Sequence, residues 1–288
     1  MTQHTDRLRT GVELYDEQDP ERLFLSHARK YRTLYGCQRI AATIALLKQA
    51  HTNDGAILDI GCGAGLWAAY LSTMAPTAEV HLLDTRHSLL CAAARTMQKY
   101  GSGPPARSWH GLVEEVGLPS GYFSLVLCKD VIEHVPDDSS FVRSIAKCLK
   151  PGGLLVLTTQ NRFSLNNLLQ GFWIRCVKKR AWCGWDPTHL RFYDMLGLRR
   201  LLHKNGLYVL TSCGSYILPY QLCFLGPLGG LLRLPIAEDD GFPITDRPLD
   251  RLGLLHKCLA FFEWSGLNRR SPFSAIGWSI GVLARKVG

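Results

Sequence analysis

The chain predicts an α/β fold: a mostly parallel sheet with helices on both faces. Three observations carry that expectation. An apolar run, Ile57-Leu58-Asp59-Ile60, breaks into Gly61-Cys62-Gly63-Ala64-Gly65, and a helical run opens at Leu66. A second apolar run, Val80-His81-Leu82-Leu83, ends on an acidic residue, Asp84. From there on, short apolar runs alternate with helical patterns, as parallel strands joined by crossover helices do.

Taken in order, residues 20–50 carry apolar positions at helical spacing: Leu23, Phe24, His27 and Tyr31, then Ile40, Ile44, Leu46 and Leu47. That spacing predicts two helices, broken near Gly36. Strands are expected near 56–60, 79–84, 106–109, 123–128 and 153–159, and helices near 65–74, 87–100 and 139–149. Pro151-Gly152-Gly153 should stop the last of these helices and feed the fifth strand. Phe192 to His203 reads as a further helix, Leu207 to Ser212 as a sixth strand, and Ser274 to Lys286 as a seventh. A closing hairpin of strands six and seven adds an antiparallel edge to a seven-stranded sheet.

With 288 residues, 47% of them hydrophobic and 20% charged, the composition is that of an ordinary globular protein and suits one domain with added segments. The ten cysteines are scattered with no Cys-x-x-Cys pair, which argues against a zinc or disulfide framework and for reduced thiols. Residues 1–19 are polar and carry charges of both signs, so no exported leader is expected; the cytoplasm is, with peripheral membrane contact as a variant. The net charge of +9 is uneven: between Arg162 and Lys204 stand nine Lys or Arg against Asp186 and Asp194. Such a segment suits an anionic partner, namely a substrate phosphate, an acidic membrane or RNA, or it is a solvated face. From Asn205 to Leu232 no residue is charged, a run long enough to cross a bilayer. Gly214, Pro219, Gly226, Pro227, Gly229 and Gly230 would break such a helix repeatedly, so a buried or substrate-covering insertion and a membrane-touching segment remain alternatives. Trp173, Trp182, Trp185, Phe172, Tyr220, Phe224 and Leu225 lie near the basic segment, a mixture that suits a lipid interface or a greasy anionic substrate.

The glycine turn is the most informative stretch. Glycines leave room for a ligand against the backbone, and the amides opening the next helix face it. A dinucleotide fold spaces its second and third glycines further apart than Gly63 and Gly65. The turn instead resembles the first motif of the class I S-adenosylmethionine-dependent methyltransferases, and the resemblance extends through Asp84, Val113 to Val135 and Leu149 to Thr159. It implies a Rossmann-like class I methyltransferase fold with S-adenosyl-L-methionine as cofactor. Carried over, Gly61, Gly63 and Gly65 lie under the methionyl part, Asp84 takes the ribose hydroxyls, and Asp59 supports the turn. Glu114 stands where the family more often has Asp for the adenine amino group, with Leu112 or Val113 as the apolar face. The N-terminal helices would cover the cofactor, with Arg39 and Tyr31 as candidates to meet its carboxylate.

Cys128-Lys129-Asp130-Val131-Ile132-Glu133-His134-Val135 is similar to the fourth motif of quinone-biosynthesis O-methyltransferases, which places Lys129 at the cofactor. Relatives with Glu-x-x-Glu-His at this point bind a divalent cation; here Asp130 replaces the first Glu, giving Asp130, Glu133 and His134 as the implied metal set. The alternative is a helix start, with Asp130 as cap, Glu133 completing a capping box, and His134 packed or acting as a base. Trp185 to Tyr193 resembles a segment bordering the acceptor pocket, in which His189 could take a hydroxyl proton and Arg191 hold an anionic group. There too the alternative is structural: Asp186 or Thr188 caps the following helix, and Arg191 ties it to the sheet. Asp130, Arg162 and Arg191 are therefore the candidate substrate contacts, and His134 and His189 the candidate catalytic ones.

The expected organisation is a helical cap over the cofactor (1–52), a cofactor-binding core (53–161), a basic, aromatic acceptor-side segment (162–204), and the last two strands (205–288) with an apolar insertion (214–270). The expected activity is methylation of a small-molecule or lipid-linked acceptor, anionic in one variant, at oxygen. An RNA-modifying enzyme is the rival, although no RNA-binding signature and no Asn-Pro-Pro-Tyr motif is found. A non-catalytic cofactor-binding or membrane-associated module is the other.

Overall fold

Strand-forming runs with β-branched and leucine side chains on both faces have nowhere to go but the interior, and here they pair into one sheet. The computed structural model describes residues 19–50, 54–165, 167–182, 184, 186–218, 242–250 and 252–288. The strands are β1 (Ala56–Ile60), β2 (Glu79–Asp84), β3 (Arg107–His110), β4 (Phe123–Lys129), β5 (Leu149–Gln160), β6 (Leu207–Ser215) and β7 (Ser279–Lys286). Their order is β3-β2-β1-β4-β5-β7-β6. β1 to β5 run parallel, and β7 is antiparallel to both β5 and β6. The expected class I methyltransferase fold with its antiparallel edge is what forms.

The helices are α1 (Pro20–Tyr31), α2 (Leu34–Ala50), α3 (Leu66–Met74), α4 (His87–Tyr100), α5 (Asp138–Cys148), α6 (Met195–Lys204), α7 (Leu254–Leu259) and α8 (Phe261–Ser265). Alternation along the strands feeds two cores. Ile57, Val80, Leu82, Leu125 and Val156 face α1 to α4, while Leu58, Ile60, Val126, Leu155 and Val282 face α5 and α6. A satellite cluster of Leu34, Tyr216, Leu249, Leu252, Ala260 and Trp278 packs the C-terminal segment onto α2.

Several boundaries differ from expectation. The first helical pair breaks at Arg32 and Thr33, and Gly36 lies inside α2. It is glycine because α2 crosses tightly over the end of α1: a Cβ there would lie 2.2 Å from the Lys30 carbonyl oxygen. The Pro151-Gly152-Gly153 turn is part of β5, which begins at Leu149 paired with Phe123. Residues 274–278 do not join β7, since a short 3₁₀ turn, Phe273–Ala275, occupies its expected start. α6 starts at Met195, with the Asp194 side chain accepting from the Gly197 amide at 2.8 Å, so neither Asp186 nor Thr188 caps it. Asp130 and Glu133 do not make a capping box: a single 3₁₀ turn, Ile132–His134, follows β4, and no side chain caps it. Of the uncharged run 205–232, residues beyond 218 lie outside the described ones, as do Tyr220, Phe224, Leu225 and Trp185. Among the described residues no helix is long and apolar enough to cross a membrane.

Candidate functional site

The strand order reverses between β1 and β4, and a ligand crevice opens at such a switch point beyond the strands' carboxyl ends. The glycine turn fills one side of it. Gly65 stands at the N-terminus of α3 with φ 79°, and a Cβ there would meet the Cα of Ala93 on α4 at 2.5 Å, so no other residue fits. Asp84 clamps the turn: its Oδ2 accepts from the Gly63 amide at 3.0 Å and its Oδ1 from the Arg86 amide at 3.0 Å. Burial raises the pKa of Asp84, partly offset by those amides. Asp59, one strand over, accepts from the Ala68 amide of α3; burial and then Asp84 push its carboxyl up to about 8. Its Oδ2 is buried without a partner among the described residues.

His27 and Tyr31, one turn apart on α1, face this turn. The His27 Nδ1 accepts from the Ala64 amide at 3.4 Å, and burial, then Lys30, lowers its pKa to about 4. Tyr31 Oη accepts from Trp67 Nε1 at 2.8 Å, and the Lys129 ammonium stands 5.5 Å above the Tyr31 ring. His27 and Trp67 are site residues that the sequence reading missed; the spacing of His27 and Tyr31 on one helical face was the available signal.

Asp130 sits at the end of β4 with φ 57° and draws the two nearest cations to itself. Arg39 from α2 and Lys129 both contact its Oδ2, and Thr158 Oγ1 donates to its Oδ1 at 3.1 Å. Burial opposes ionisation, but Arg39 and Lys129 outweigh it and hold the carboxyl below the ordinary range. Arg39, Lys129 and Asp130 thus form one cluster between α2 and the sheet. Glu114 is exposed in the loop after β3, beside buried Val113 and exposed Leu112.

In the turn after β4, Glu133 is fully buried. Its Oε2 accepts from Thr159 Oγ1 at 2.8 Å, and its Oε1 has no partner among the described residues. Burial, then Asp130, pushes this carboxyl up to about 8. The segment before α6 is pinned against the same turn, the Leu190 amide donating to the Glu133 carbonyl at 2.8 Å. It brings His189 within 4.9 Å of His134, ring centre to ring centre, and Thr188 Oγ1 within 2.9 Å of His134 Nδ1. Arg191 pairs with Asp138 at 2.9 Å and donates to the Pro136 carbonyl at 2.6 Å. Its guanidinium is tied to the start of α5 and not to the sheet, so the structural role expected for this residue is met by a different partner. Arg162 is exposed just after β5.

The residues fit a divalent cation, though not with the implied set. One ligand atom each from Glu133, His134 and His189 lie within 4.8 Å of one another, whereas Asp130 is committed to Arg39 and Lys129. The partnerless Glu133 oxygen is the observation that favours a cation.

The profile of a methyltransferase-domain family matches residues 27–212. The chain belongs to that family. The chain is 33% identical over 162 residues to the ubiquinone biosynthesis O-methyltransferase of Proteus mirabilis, a match covering 49% of this chain and 63% of that protein. It therefore spans just under two thirds of that relative. Among solved structures, phosphoethanolamine N-methyltransferase 2 of Haemonchus contortus, in complex with S-adenosyl-L-methionine, superposes with a TM-score of 0.54 at 16% identity, over 94% of this chain and 58% of that one. The [4+2]-cyclase SpnF superposes with 0.52 at 17% identity, over 85% and 81%. A cyclase on the methyltransferase fold shows that the architecture alone does not name the reaction.

Proposed function

We propose that this chain is an S-adenosylmethionine-dependent methyltransferase that methylates an oxygen of a small or lipid-linked acceptor. The observation that carries the reading is Asp84, buried at the end of β2 and clamped onto the Gly63 amide of the turn that opens α3. Gly61, Gly63, Gly65, Asp59 and Asp84 would hold the cofactor's nucleoside side, with Glu114 toward the base, and Arg39, Lys129 and Asp130 its amino-acid end. Arg39 and Lys129 match a carboxylate, with Asp130 holding the two cations in place. When bound, the cofactor supplies an electrophilic methyl group on a sulfonium.

What the chain's own residues must do is align and exclude water. An in-line displacement needs the acceptor oxygen held about 3 Å from the methyl, and that positioning supplies much of the acceleration. His134 and His189 flank the acceptor side and act on the hydroxyl proton when free of metal; a divalent cation held by them would take their lone pairs and polarise that hydroxyl instead. The match to a ubiquinone biosynthesis O-methyltransferase supports oxygen as the accepting atom.

Peripheral contact with a membrane belongs to the same reading. Phe163, Leu165, Leu168, Phe172, Trp173 and Val177 are exposed large apolar side chains, and exposed Arg175, Lys178, Lys179 and Arg180 lie among or just after them with no acidic residue between 163 and 180. Apolar bodies beside basic heads match an anionic lipid surface. The test is incubation of the full chain with methyl-labelled cofactor and fractionated cell extracts, read by mass spectrometry. Label in a lipid or small-molecule hydroxyl is expected; label confined to RNA, or cofactor binding with no transfer to any fraction, overturns the proposal.

A further inference from the structure

We propose that the end of the sheet opposite the glycine turn is a docking surface for an acidic protein partner, formed where α6, the edge strand β6 and the end of β7 meet. It goes beyond the methyl-transfer reading, since it uses none of the residues placed at the cofactor or the acceptor.

Topology assembles this surface from segments far apart in sequence. β7 is antiparallel to both β5 and β6, so the first residues of β5 and β6 lie at the same end of the sheet as the last residues of β7. The glycine turn lies at the other end, beyond the carboxyl end of β1. α5 and α6 both run toward the amino end, because β5 follows α5 and β6 follows α6. Lys147, Lys150, Arg199, Arg200, Lys204 and Arg285 are all exposed there. No Asp or Glu occurs in α6, β5, β6 or β7, and the one in α5, Asp138, stands at its far end. Among the described residues none of these six cations is in an ion pair. Glu79, at the start of β2, feels Lys150 but is hydrogen-bonded by Tyr122 at 2.6 Å. The helix dipole accounts for Lys147 and Lys204 in last turns, but not for Lys150 and Arg285 on strands or Arg199 and Arg200 in mid-helix. The basic run between Arg162 and Lys204 is thus split by the fold: Arg175 to Arg180 follow the carboxyl end of β5, and Arg199 to Lys204 belong to the opposite end.

The centre of the surface is apolar. β6 is the last strand in the sheet order, and near its start Tyr208 is 59% and Leu210 43% exposed. Val287, whose amide donates to the Gly206 carbonyl at 3.0 Å, adds a third open apolar side chain. Tyr208 pairs with Arg285 across β6 and β7, and α6 is held to β6 by Arg199, which donates to Ser212 Oγ at 3.3 Å. An apolar centre with a polar rim is the anatomy of a protein interface, and Tyr and Arg are the side chains that most often anchor one. The single sign of the rim selects a partner of acidic surface. Leu210 is an extra residue where the pairing steps from Val209 to Thr211, and a bulged edge does not template a further strand, so the contact is made by side chains. One exposed Tyr is not the run of stacking platforms that a single-stranded nucleic acid uses. A flat bilayer met by residues 163–180 lies toward the carboxyl end of the sheet, not this one.

The test measures binding of the full chain, at about 0.15 M salt, to a fluorescent random copolymer of glutamate and tyrosine, with polyglutamate, polyuridylate RNA and phosphatidylserine vesicles as comparisons. Saturable binding of the copolymer is expected, tighter than that of polyglutamate or RNA and weakened by added salt. Arg200→Gln with Lys204→Gln should weaken it about tenfold, and Tyr208→Ser should remove the preference for the copolymer over polyglutamate. Lys178→Gln with Lys179→Gln removes as much charge elsewhere and should leave the affinity within about twofold of wild type. All five positions are exposed, and melting curves by circular dichroism check that each variant is folded. No saturable binding by folded wild-type protein, equal loss in the two double variants, tighter binding of RNA than of the copolymer, or partitioning onto vesicles that the Arg200 and Lys204 variant loses each overturns the proposal. Calorimetry with S-adenosylmethionine on the same preparation keeps the two readings apart. Copolymer binding without cofactor binding sinks methyl transfer and leaves the docking surface standing; cofactor binding without copolymer binding does the reverse.

Discussion

Asp84 carries the cofactor reading at the scale of one residue. A carboxylate has more acceptor sites than the two amides of Gly63 and Arg86 consume, so it can hold the turn and still receive sugar hydroxyls. Asp84→Ala is expected to weaken cofactor binding by about 1–3 kcal/mol through lost hydrogen bonds. Calorimetry on a folded mutant checks this; an affinity equal to wild type removes Asp84 from the ribose. Asp130 teaches the opposite lesson. Its place in the motif was legible, yet its partners were not, because Arg39 lies ninety-one positions away in sequence. Composition cannot say which cation a carboxylate meets, so a residue read as metal ligand, substrate contact or cap turned out to be held in an ion cluster.

At the scale of elements, the segment between β5 and α6 combines two π-helical turns, Asn167–Gly171 and Trp173–Val177, with exposed aromatics. Among the described residues no element buries its exposed apolar side chains, which supports the proposed lipid interface. Near an anionic membrane each Lys or Arg contributes about 1 kcal/mol. The double variant Lys178→Gln and Lys179→Gln should therefore lose about 2 kcal/mol of partitioning onto phosphatidylserine vesicles in a sedimentation assay, with little change on neutral vesicles. Equal partitioning of wild type and variant would refute the contact. The same segment also carries Thr188 and His189 to the end of β4. A reading of local periodicity placed a helix nearby but could not foresee that docking, because it depends on the Leu190 amide meeting the Glu133 carbonyl beyond the carboxyl end of β4.

At the scale of the whole molecule, the satellite cluster ties the C-terminal segment to the N-terminal cap, and Glu263 of α8 is its buried charge. Glu263 accepts from Gln38 Nε2 of α2 at 3.1 Å and from the Ile217 amide at 3.2 Å. Burial, only partly offset by those donors, pushes its carboxyl up to about 7. The folded state then keeps this proton to higher pH than the unfolded chain does. Its contribution to stability accordingly falls as pH rises from about 4.5 to about 7 and is lowest above that window. Glu263→Gln should raise the melting temperature relative to wild type more at pH 8 than at pH 5; Gln38, whose Oε1 has no partner among the described residues, can turn its amide to receive the new one. A difference in melting temperature that does not grow with pH would show that Glu263 is already ionised in the fold at acidic pH.

The sequence by itself determined the sheet, its strand count and the glycine turn, since apolar alternation, glycine placement and an acidic strand end are local signals with local causes. Helix boundaries were legible where a cap or a glycine marks them, as in α4 and α5, and misplaced where a crossing sets them, as at Gly36. What only the tertiary structure decided was which charges pair and which donors converge. Glu133, His134 and His189 belong to two separate motifs, and it is the packing of one against the other that joins them. Electrostatic partnership depends on distance in space, and distance in space is what a linear order of residues does not contain.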